Sequence, residues 1–315
     1  DGSIMAIGHR SATYVRVYQR DENEALGWTQ LGGDIVGEIS GDGTGYAVSL
    51  NSDGTIIAIG AFNNNSLGNV RVYQYDSSSP AETDQSNADY GPQGWKRLGN
   101  DIDGESGTTR FGWSVSLSSN GTIVAIGNRN GSGNSYVKVY QRDTNVTLGW
   151  SQLGNNIYGA EQYDYTGESV SLSDDGTIVA IGASGYGSQR GQVRVYQYDP
   201  SSPSTNDTNS YDFGPVGWKR LGEDIEGENT GDYSGKIISF SGDGTTVAVS
   251  AAAGNSEAGQ VRVWKYDSTK NSANALGPRG WNKIGDITGT NYNDSSGLYV
   301  SINYDGTVLA IGSPR

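Results

Sequence analysis

The chain has 315 residues, a formal net charge of −14, 48 glycines, a single histidine and no cysteine. This composition excludes disulfides, thiolate metal sites and multi-histidine metal sites. The acidic charge disfavours nucleic acids and anionic membranes as direct partners, so neither is expected to bind. No stretch of the sequence approaches the roughly 20 apolar residues needed to cross a bilayer, so no membrane insertion is predicted.

One phrase recurs along the chain. Near copies of D-G-T-I-I-A-I-G-A have their first glycine at residues 2, 54, 121, 176, 244 and 306, and the full repeats continue into V-R-V-Y-Q and then G-W-x-Q-L-G. Repeats of this length are typical of propellers, solenoids or arrays. The sequence therefore predicts one repeat architecture over residues 1–315, organised as a single domain.

The second repeat predicts four strands. Residues 45–51 and 69–75 alternate between larger apolar and small or polar side chains, and residues 95–102 form a weaker fourth strand that begins with Trp95. Residues 55–60 are a continuous apolar run, the pattern of a strand buried on both faces. The strongest burial is therefore predicted on the second strands, at Ile57, Ile59, Val124, Ile126, Val179, Ile181, Val247 and Val249.

The first two strands of each repeat are separated by a turn sequence, Asp53-Gly54 in the second repeat, which predicts a two-residue hairpin. Four antiparallel strands joined by short loops make one propeller blade. The fold class is thus predicted as all-β, a β-propeller with about five blades in this chain and a parent of six or seven. The tryptophans that begin the fourth strands are interpreted as packing between blades.

The sequence begins and ends within blades, which leaves three interpretations of closure. Residues 297–303 could close a five-bladed ring beside residues 3–8, the parent could be a longer ring, or a neighbouring molecule could supply the missing strands. Unpaired strand edges associate readily with other chains. We therefore expect self-association, including head-to-tail filaments, or a cell-surface partner.

The run F-G-W-S-V-S-L-S-S-N-G-T-I-V-A-I-G at residues 111–127, followed by V-K-V-Y at 137–140, resembles the FG-GAP repeat of integrin α-subunit propellers. The resemblance recurs in each repeat and implies a propeller from an extracellular or cell-surface protein. That family often carries a calcium loop of the form D-x-D-x-D-G, but the corresponding positions here contain only sequences such as S-D-G and D-D-G. No calcium ligands are therefore transferred from the family.

Acidic, glycine-rich segments connect the fourth strand of one repeat to the first strand of the next. They are interpreted as loops closed by side chains that bond to backbone amides, with calcium binding or carboxylate catalysis as alternatives. No cofactor is predicted unless these loops hold calcium. The candidate residues are Asp34, Glu38, Asp42, Asp101, Glu105, Asp224, Glu228 and Asp232.

A basic residue recurs on the third strand, at Arg16, Arg71, Lys138, Arg194 and Arg262. We interpret these residues as partners of carboxylates on the neighbouring strand or as packing over the tryptophans, with a ligand-binding ring as the alternative. Glycosylation motifs in loops give four candidate acceptors: Asn64, Asn130, Asn145 and Asn206.

No catalytic residue emerges, because the acidic phrase repeats in most blades whereas an active site needs asymmetry. The sequence therefore predicts a non-enzymatic, extracellular structural or adhesive propeller, as a subunit of a larger assembly or filament. The alternative is a glycan-binding propeller with aromatic pockets between blades. A carboxylate-dependent hydrolase is the third interpretation.

Overall fold

The computed structural model describes residues 2–9, 11–21, 23, 27–83, 91–105, 110–130, 135–203, 214–251, 258–291 and 294–313. The chain separates into two compact units. Unit 1 comprises residues 1–128 and 140–152, and unit 2 comprises residues 129–139 and 153–315. Helical structure in the described ranges is limited to one 3-10 turn at Asn64–Ser66 and one turn, α1, at Tyr186–Gln189. None of these helical turns approaches the length and apolarity of a membrane span.

Unit 1 begins with two antiparallel sheets. The first contains β1 (Ile4–His9), β2 (Tyr14–Arg20) and β3 (Trp28–Val36), in that spatial order. The second contains β4 (Thr44–Leu50), β5 (Ile56–Ala61), β6 (Asn69–Tyr75) and β7 (Trp95–Arg97), again in order, and β8 (Ile102–Asp103) also pairs with β6. The predicted fourth strand is thus divided into β7 and β8, because the chain turns at Gly99, where φ is +79°.

The third repeat contributes strands to both units. In unit 1, β9 (Phe111–Leu117) pairs with β10 (Ile123–Asn128). The strand β11 (Tyr136–Arg142) pairs through its last residues with β12 (Trp150–Gln152) in unit 1, and through its first residues with β13 (Ile157–Tyr158) in unit 2. All these pairings are antiparallel.

Unit 2 contains two further antiparallel sheets and a final hairpin. One sheet has, in order, β14 (Thr166–Leu172), β15 (Ile178–Ala183), β16 (Gln192–Tyr198) and β17 (Trp218–Arg220), with β18 (Ile225–Glu226) beside β16. The next has β19 (Ile238–Phe240), β20 (Thr246–Ala251), β21 (Gln260–Tyr266) and β22 (Trp281–Thr288). The hairpin joins β23 (Tyr299–Ile302) to β24 (Leu309–Gly312). The four-stranded antiparallel repeat predicted from the sequence is confirmed.

The second strand of each of the four central repeats carries the core; these strands are β5, β10, β15 and β20. All eight residues for which the strongest burial was predicted are at most 2% exposed. Complete burial of a Val or Ile side chain stabilises the fold by about 1.5–3 kcal/mol. The corresponding strands of the first and last repeats, β1 and β24, are only partly buried, so the apolar run contributes most to stability in the four central repeats.

The connection between β4 and β5 is longer than predicted. The Asn51 amide donates to the Ile56 carbonyl at 3.0 Å, so four residues lie between the last paired positions. Inside this loop the amide of Thr55 donates to Asp53 Oδ1 at 2.9 Å, and Gly54 has a φ of +71°. The prediction of a two-residue turn is wrong, because the Asp53 side chain forms its own small turn within a wider loop.

Tryptophans link successive repeats through hydrogen bonds as well as through packing. Each indole donates to the carbonyl of a leucine in the preceding repeat, in the pairs Trp95–Leu31 at 3.0 Å, Trp150–Leu98 at 2.7 Å, Trp218–Leu153 at 3.1 Å and Trp281–Leu221 at 3.0 Å. A glycine follows each leucine, and a Cβ atom at Gly32 would lie 2.7 Å from the Trp95 Nε1 atom. The predicted inter-blade role of these tryptophans is confirmed, and it explains the Leu-Gly sequence.

Candidate functional site

Within a blade, the basic residue of the third strand pairs with an aspartate of the fourth. The Nε and Nη2 atoms of Arg16 each lie 2.8 Å from an oxygen of Asp34. In unit 2, Arg194 Nε lies 3.2 Å from both Asp224 oxygens. The predicted cross-strand pairing of these arginines with carboxylates is confirmed.

Other aspartates close the loops between repeats. Asp42 accepts hydrogen bonds from the backbone amides of Glu38 at 3.0 Å and Thr44 at 2.8 Å. Asp232 accepts in the same way from the amides of Glu228 at 3.1 Å and Asn229 at 2.9 Å. These two carboxylates therefore hold the shape of their own loops.

In unit 1 one such loop covers a buried arginine. We call Glu38, Asp42, Asn69, Arg71 and Asp101 the Arg71 cluster. Arg71 is 2% exposed, and its Nη2 atom lies 3.9 Å from Asp42 Oδ2 while its Nη1 atom lies 4.0 Å from Glu38 Oε1. Burial disfavours the charged guanidinium, but Tyr73 and the surrounding carboxylates outweigh this effect and raise the pKa of Arg71. The cluster thus places three carboxylates near Arg71 and near a second buried cation, Arg97, which bonds to Asp101.

Asp101 holds the most unusual carboxylate of the cluster. Its Oδ1 atom accepts a hydrogen bond from Arg97 at 3.1 Å, and its Oδ2 atom accepts one from Asn69 Nδ2 at 3.0 Å. Burial raises the pKa of Asp101 to about 6, Glu38 adds to the rise, and Arg71 and Arg97 oppose it. The side chain is still 17% exposed, so water reaches it. A carboxylate with these properties can accept a proton near neutral pH.

Two polar atoms beside Asp101 lack a hydrogen-bond partner in the described part of the chain. They are Arg71 Nη1 and Asn69 Oδ1, both of which are buried. An unsatisfied buried donor or acceptor costs about 1–3 kcal/mol. Such a cost inside an otherwise bonded cluster indicates a position where water or a ligand supplies the missing partners.

Unit 2 contains a related cluster around Arg262, whose side chain is 3% exposed. Its Nη2 atom lies 3.1 Å from Glu228 and 3.6 Å from Asp232. Lys283 Nζ adds a second cation, 3.3 Å from both Glu228 and Asp286. The carboxylates of this cluster are thus balanced by two basic side chains.

The predicted acidic candidates therefore gather around different arginines within each unit. Glu38, Asp42 and Asp101 lie in the Arg71 cluster, while Glu105 is exposed at the end of the described segment 91–105. Within the described ranges, no three His, Cys, Asp or Glu side chains form a group suited to a metal ion. The expectation of no cofactor, and its alternative of calcium binding, both stay untested.

The four candidate glycosylation sites differ in accessibility. Asn64 is 3% exposed, and its Nδ2 atom, to which a glycan would attach, donates to Glu38 Oε2 at 2.9 Å. This burial argues against Asn64 as an acceptor in the folded chain. Asn145 is exposed, Asn130 is half-buried, and Asn206 lies outside the described residues.

Sequence reasoning missed Asn69 and Arg97, the two residues that bond directly to Asp101. Arg97 lies in the phrase W-K-R, which recurs at Arg220, so a signal for it was present in the sequence. Arg220 likewise bonds to the fourth-strand aspartate of its own blade, Asp224. Asn69 gave no comparable signal, because the first residue of the third strand varies among the repeats.

Solved structures share this architecture. The chain is similar to a proposed 6-phosphogluconolactonase from Bacteroides uniformis ATCC 8492, with a TM-score of 0.58 and 14% identity over 99% of this chain and 75% of that one. A periplasmic gluconolactonase of Pseudomonas aeruginosa gives a TM-score of 0.57 and 14% identity over 98% of this chain and 74% of that one. A proposed 6-phosphogluconolactonase from Bacteroides fragilis NCTC 9343 gives 0.55 and 14%, over 99% and 74%.

The chain is a β-propeller. The predicted fold class is thereby confirmed. No family model and no curated protein matches the chain. The neighbouring structures support the propeller part of the predicted resemblance, but its FG-GAP part has no support. The predictions of a non-enzymatic adhesive module and of a protein without enzymatic activity are contradicted, because the neighbouring structures are named as lactonases. One of these neighbours is named as periplasmic.

Proposed function

We propose that this chain is a carboxylate-dependent hydrolase that opens the ester bond of a sugar lactone, with Asp101 as the general base. The observation that carries this proposal is the geometry around Asp101, whose oxygens lie 3.1 Å from Arg97 and 3.0 Å from Asn69, beside buried polar atoms that have no hydrogen-bond partner among the described residues. Burial in this setting raises the pKa of Asp101 to about 6. At neutral pH such a carboxylate is largely ionised, and it is more basic than an ordinary aspartate, whose pKa is about 3.9. A general base works best when its pKa lies near the operating pH.

In the proposed reaction, ionised Asp101 takes a proton from a water molecule whose oxygen attacks the lactone carbonyl carbon. A tetrahedral oxyanion forms and collapses, which breaks the bond between that carbon and the ring oxygen. The leaving ring oxygen takes the proton back from the Asp101 carboxyl group. The product is an open-chain hydroxy acid, and Asp101 is ionised again.

Three features of the surroundings of Asp101 support this role. Arg71 and Arg97 place positive charge next to the reacting carboxylate, where preorganised charge stabilises an oxyanion. Arg71 Nη1 is also not committed to a hydrogen bond with any described residue. Glu38 contributes negative charge that helps to hold the pKa of Asp101 up.

The substrate class rests on the names of the neighbouring proteins. One is named as a gluconolactonase, and two are named as proposed 6-phosphogluconolactonases. The periplasmic neighbour further supports a location outside the cytoplasm.

The test is hydrolysis of D-glucono-1,5-lactone and of its 6-phosphate, measured by acid release after subtraction of the spontaneous rate. Wild-type protein should accelerate the opening of at least one lactone. Asp101→Asn should lower kcat/KM by about 10²–10⁴-fold, because loss of a general base has effects of this size.

Asp34→Asn is the matched control, because Asp34 occupies the same repeat position in the first sheet but pairs tightly with Arg16. It should retain most of the activity. An inactive wild-type protein would refute the lactone assignment, whereas an active Asp101→Asn variant would refute the role of Asp101.

A further inference from the structure

Two pockets occupy equivalent repeat positions in the two units, but their linings differ. The pocket in unit 1 is a cavity of about 280 Å³ whose walls include Val36, Tyr73 and Pro92. The pocket in unit 2 is a cavity of about 450 Å³, which we call the Trp264 pocket. It is lined by Arg220, Glu223, Asp224, Glu226, Trp264 and Pro278. Glu226 and Trp264 replace Val36 and Tyr73 at the same steps of the repeat.

The indole of Trp264 is the first unusual feature of the Trp264 pocket. The residue is 7% exposed, and its Nε1 atom has no hydrogen-bond partner among the described residues. In contrast, the indoles of Trp218 and Trp281 in the same unit donate to backbone carbonyls at 3.1 and 3.0 Å. A buried indole N–H normally finds an acceptor, so a residue in the wall of the pocket carries an unsatisfied hydrogen-bond donor.

The charges around the Trp264 pocket are balanced. Glu226 lies 2.6 Å from Arg190, and Asp224 lies 3.2 Å from Arg194. The carboxylate of Glu223 accepts a hydrogen bond from the Arg279 amide at 2.9 Å and lies 3.9 Å from the Arg279 guanidinium. Each acidic side chain thus already has a basic partner, which leaves little net charge for an ionic ligand.

We infer that the Trp264 pocket binds a neutral saccharide unit. A sugar oxygen would accept the indole hydrogen of Trp264, and sugar hydroxyls would donate to carboxylate oxygens of Asp224 or Glu226. Pro278 and the indole supply apolar surface for the C–H face of the ring. The volume of about 450 Å³ falls within the range of small-molecule sites.

This binding site goes beyond the proposed hydrolase function and does not depend on it. Every residue of the Trp264 pocket lies in unit 2, whereas Asp101 lies in unit 1. The pocket could therefore hold a sugar whether or not the Arg71 cluster hydrolyses lactones. Binding and hydrolysis are measured separately, so failure of one proposal is distinguishable from failure of the other.

The test is isothermal titration calorimetry of the whole chain with maltose, cellobiose and lactose, at concentrations up to about ten times a millimolar Kd. At least one disaccharide should bind. Trp264→Phe keeps the aromatic ring but removes the N–H group, and it should weaken binding about five-fold, the effect of one hydrogen bond. Glu226→Gln, at a more exposed position, should weaken binding by a similar factor.

Tyr73→Phe is the matched control, since it removes the polar atom at the equivalent position of unit 1, and it should bind as the wild type does. If Trp264→Phe does not fold, Trp264→Tyr replaces it, because tyrosine occupies this step in other repeats, as at Tyr73 and Tyr196. The inference is overturned if none of the disaccharides binds, or if binding is unchanged in the folded pocket variants. Binding of sodium gluconate or putrescine, lost in these variants, in place of neutral sugars would also overturn it.

Discussion

One arginine and one aspartate occupy the same positions in two successive repeats of unit 1, and their surroundings differ sharply. In the first repeat Arg16 pairs with Asp34, whereas in the second repeat Arg71 lies beside Glu38 and Asp42, and Asp101 bonds to Arg97. The side chains of Arg16 and Asp34 are 39% and 33% exposed and form two bonds of 2.8 Å. Those of Arg71 and Asp101 are 2% and 17% exposed. The hydrogen bond from Arg16 lowers the pKa of Asp34, whereas burial raises the pKa of Asp101 to about 6. The repeat fixes the position of each residue, and burial decides its chemistry.

The connection between the first two sheets accounts for this difference. Its residues Glu38 and Asp42 lie beside Arg71, and Thr44 Oγ1 accepts a hydrogen bond from Arg71 Nη2 at 3.2 Å. This loop places two carboxylates beside the buried Arg71, and one of them, Glu38, also raises the pKa of Asp101. The acidic segment therefore has a structural role in its loop, but it also adds negative charge around the arginine that it covers.

The largest expected effect is on stability after removal of the two arginines. Arg71→Gln should lower the free energy of unfolding by about 3–5 kcal/mol, because it leaves the carboxylates of Glu38 and Asp42 without the buried cation beside them. Arg16→Gln should lower the free energy of unfolding far less, since an exposed ion pair contributes little. Urea unfolding of both variants measures this contrast. Equal losses of stability would show that burial does not make Arg71 more important to the fold than Arg16.

The second effect is a pH dependence caused by Asp101. Its pKa is about 6 in the folded chain against an ordinary value of 3.8, so between these pH values the folded state binds more protons than the unfolded state. The contribution of Asp101 to stability is therefore complete below pH 3.8 and is lost as the pH rises to about 6. Relative to wild type, Asp101→Asn should gain up to about 3 kcal/mol over this range. Urea unfolding at several pH values measures the gain, and a constant difference would refute the raised pKa.

A third experiment tests the tryptophan contact that links the first two repeats. Gly32 and Gly27 have similar φ values, +65° and +70°. A Cβ atom at Gly32 would meet the Trp95 side chain, whereas a Cβ atom at Gly27 would have no heavy atom within 4 Å. Both alanine variants pay the same backbone strain, so Gly32→Ala should be the less stable by about 1–3 kcal/mol, the usual cost of overpacking. Thermal unfolding measures the difference. Equal melting temperatures would argue against the tryptophan contact between repeats.

The smallest effect is expected at Asp34. Its pKa is lowered by the hydrogen bond from Arg16, so its contribution to stability is present above the ordinary value of 3.8 and is lost as the pH falls through the lowered value. Asp34→Asn should cost at most about 1 kcal/mol near neutral pH, because the pair is exposed. Urea unfolding should show a trend with pH opposite to that of Asp101→Asn, and a shared sign would contradict the comparison.

Much of the fold was predictable, because local patterns determine it. The apolar run around Ile57 and Ile59 identified the buried strand, and the regular recurrence of Trp95 and its equivalents identified contacts between blades. The length of the Asp53 loop was not predictable, since the dipeptide Asp-Gly occurs both in two-residue turns and inside wider loops.

The candidate site was only half visible in the sequence. Asp101 and Arg71 were named as members of repeating sets, but those sets include Asp34 and Arg16, which have similar neighbours in sequence and different neighbours in space. The lack of asymmetry in the sequence led to the wrong expectation of a non-enzymatic protein. The unpaired Nε1 atom of Trp264 was likewise invisible, because it depends on which carbonyl lies within reach of the indole.

The most direct test of the account is the titration of the aspartate carboxyl carbons by NMR, in protein labelled with ¹³C at aspartate Cγ. The signals of Asp101 and Asp34 are assigned by their loss in the two asparagine variants. The account predicts that Asp101 titrates with a pKa of about 6 and that Asp34 titrates below 3.8. An Asp101 carboxyl group that titrates at or below 3.8 would contradict both its burial in the charged cluster and its role as a general base.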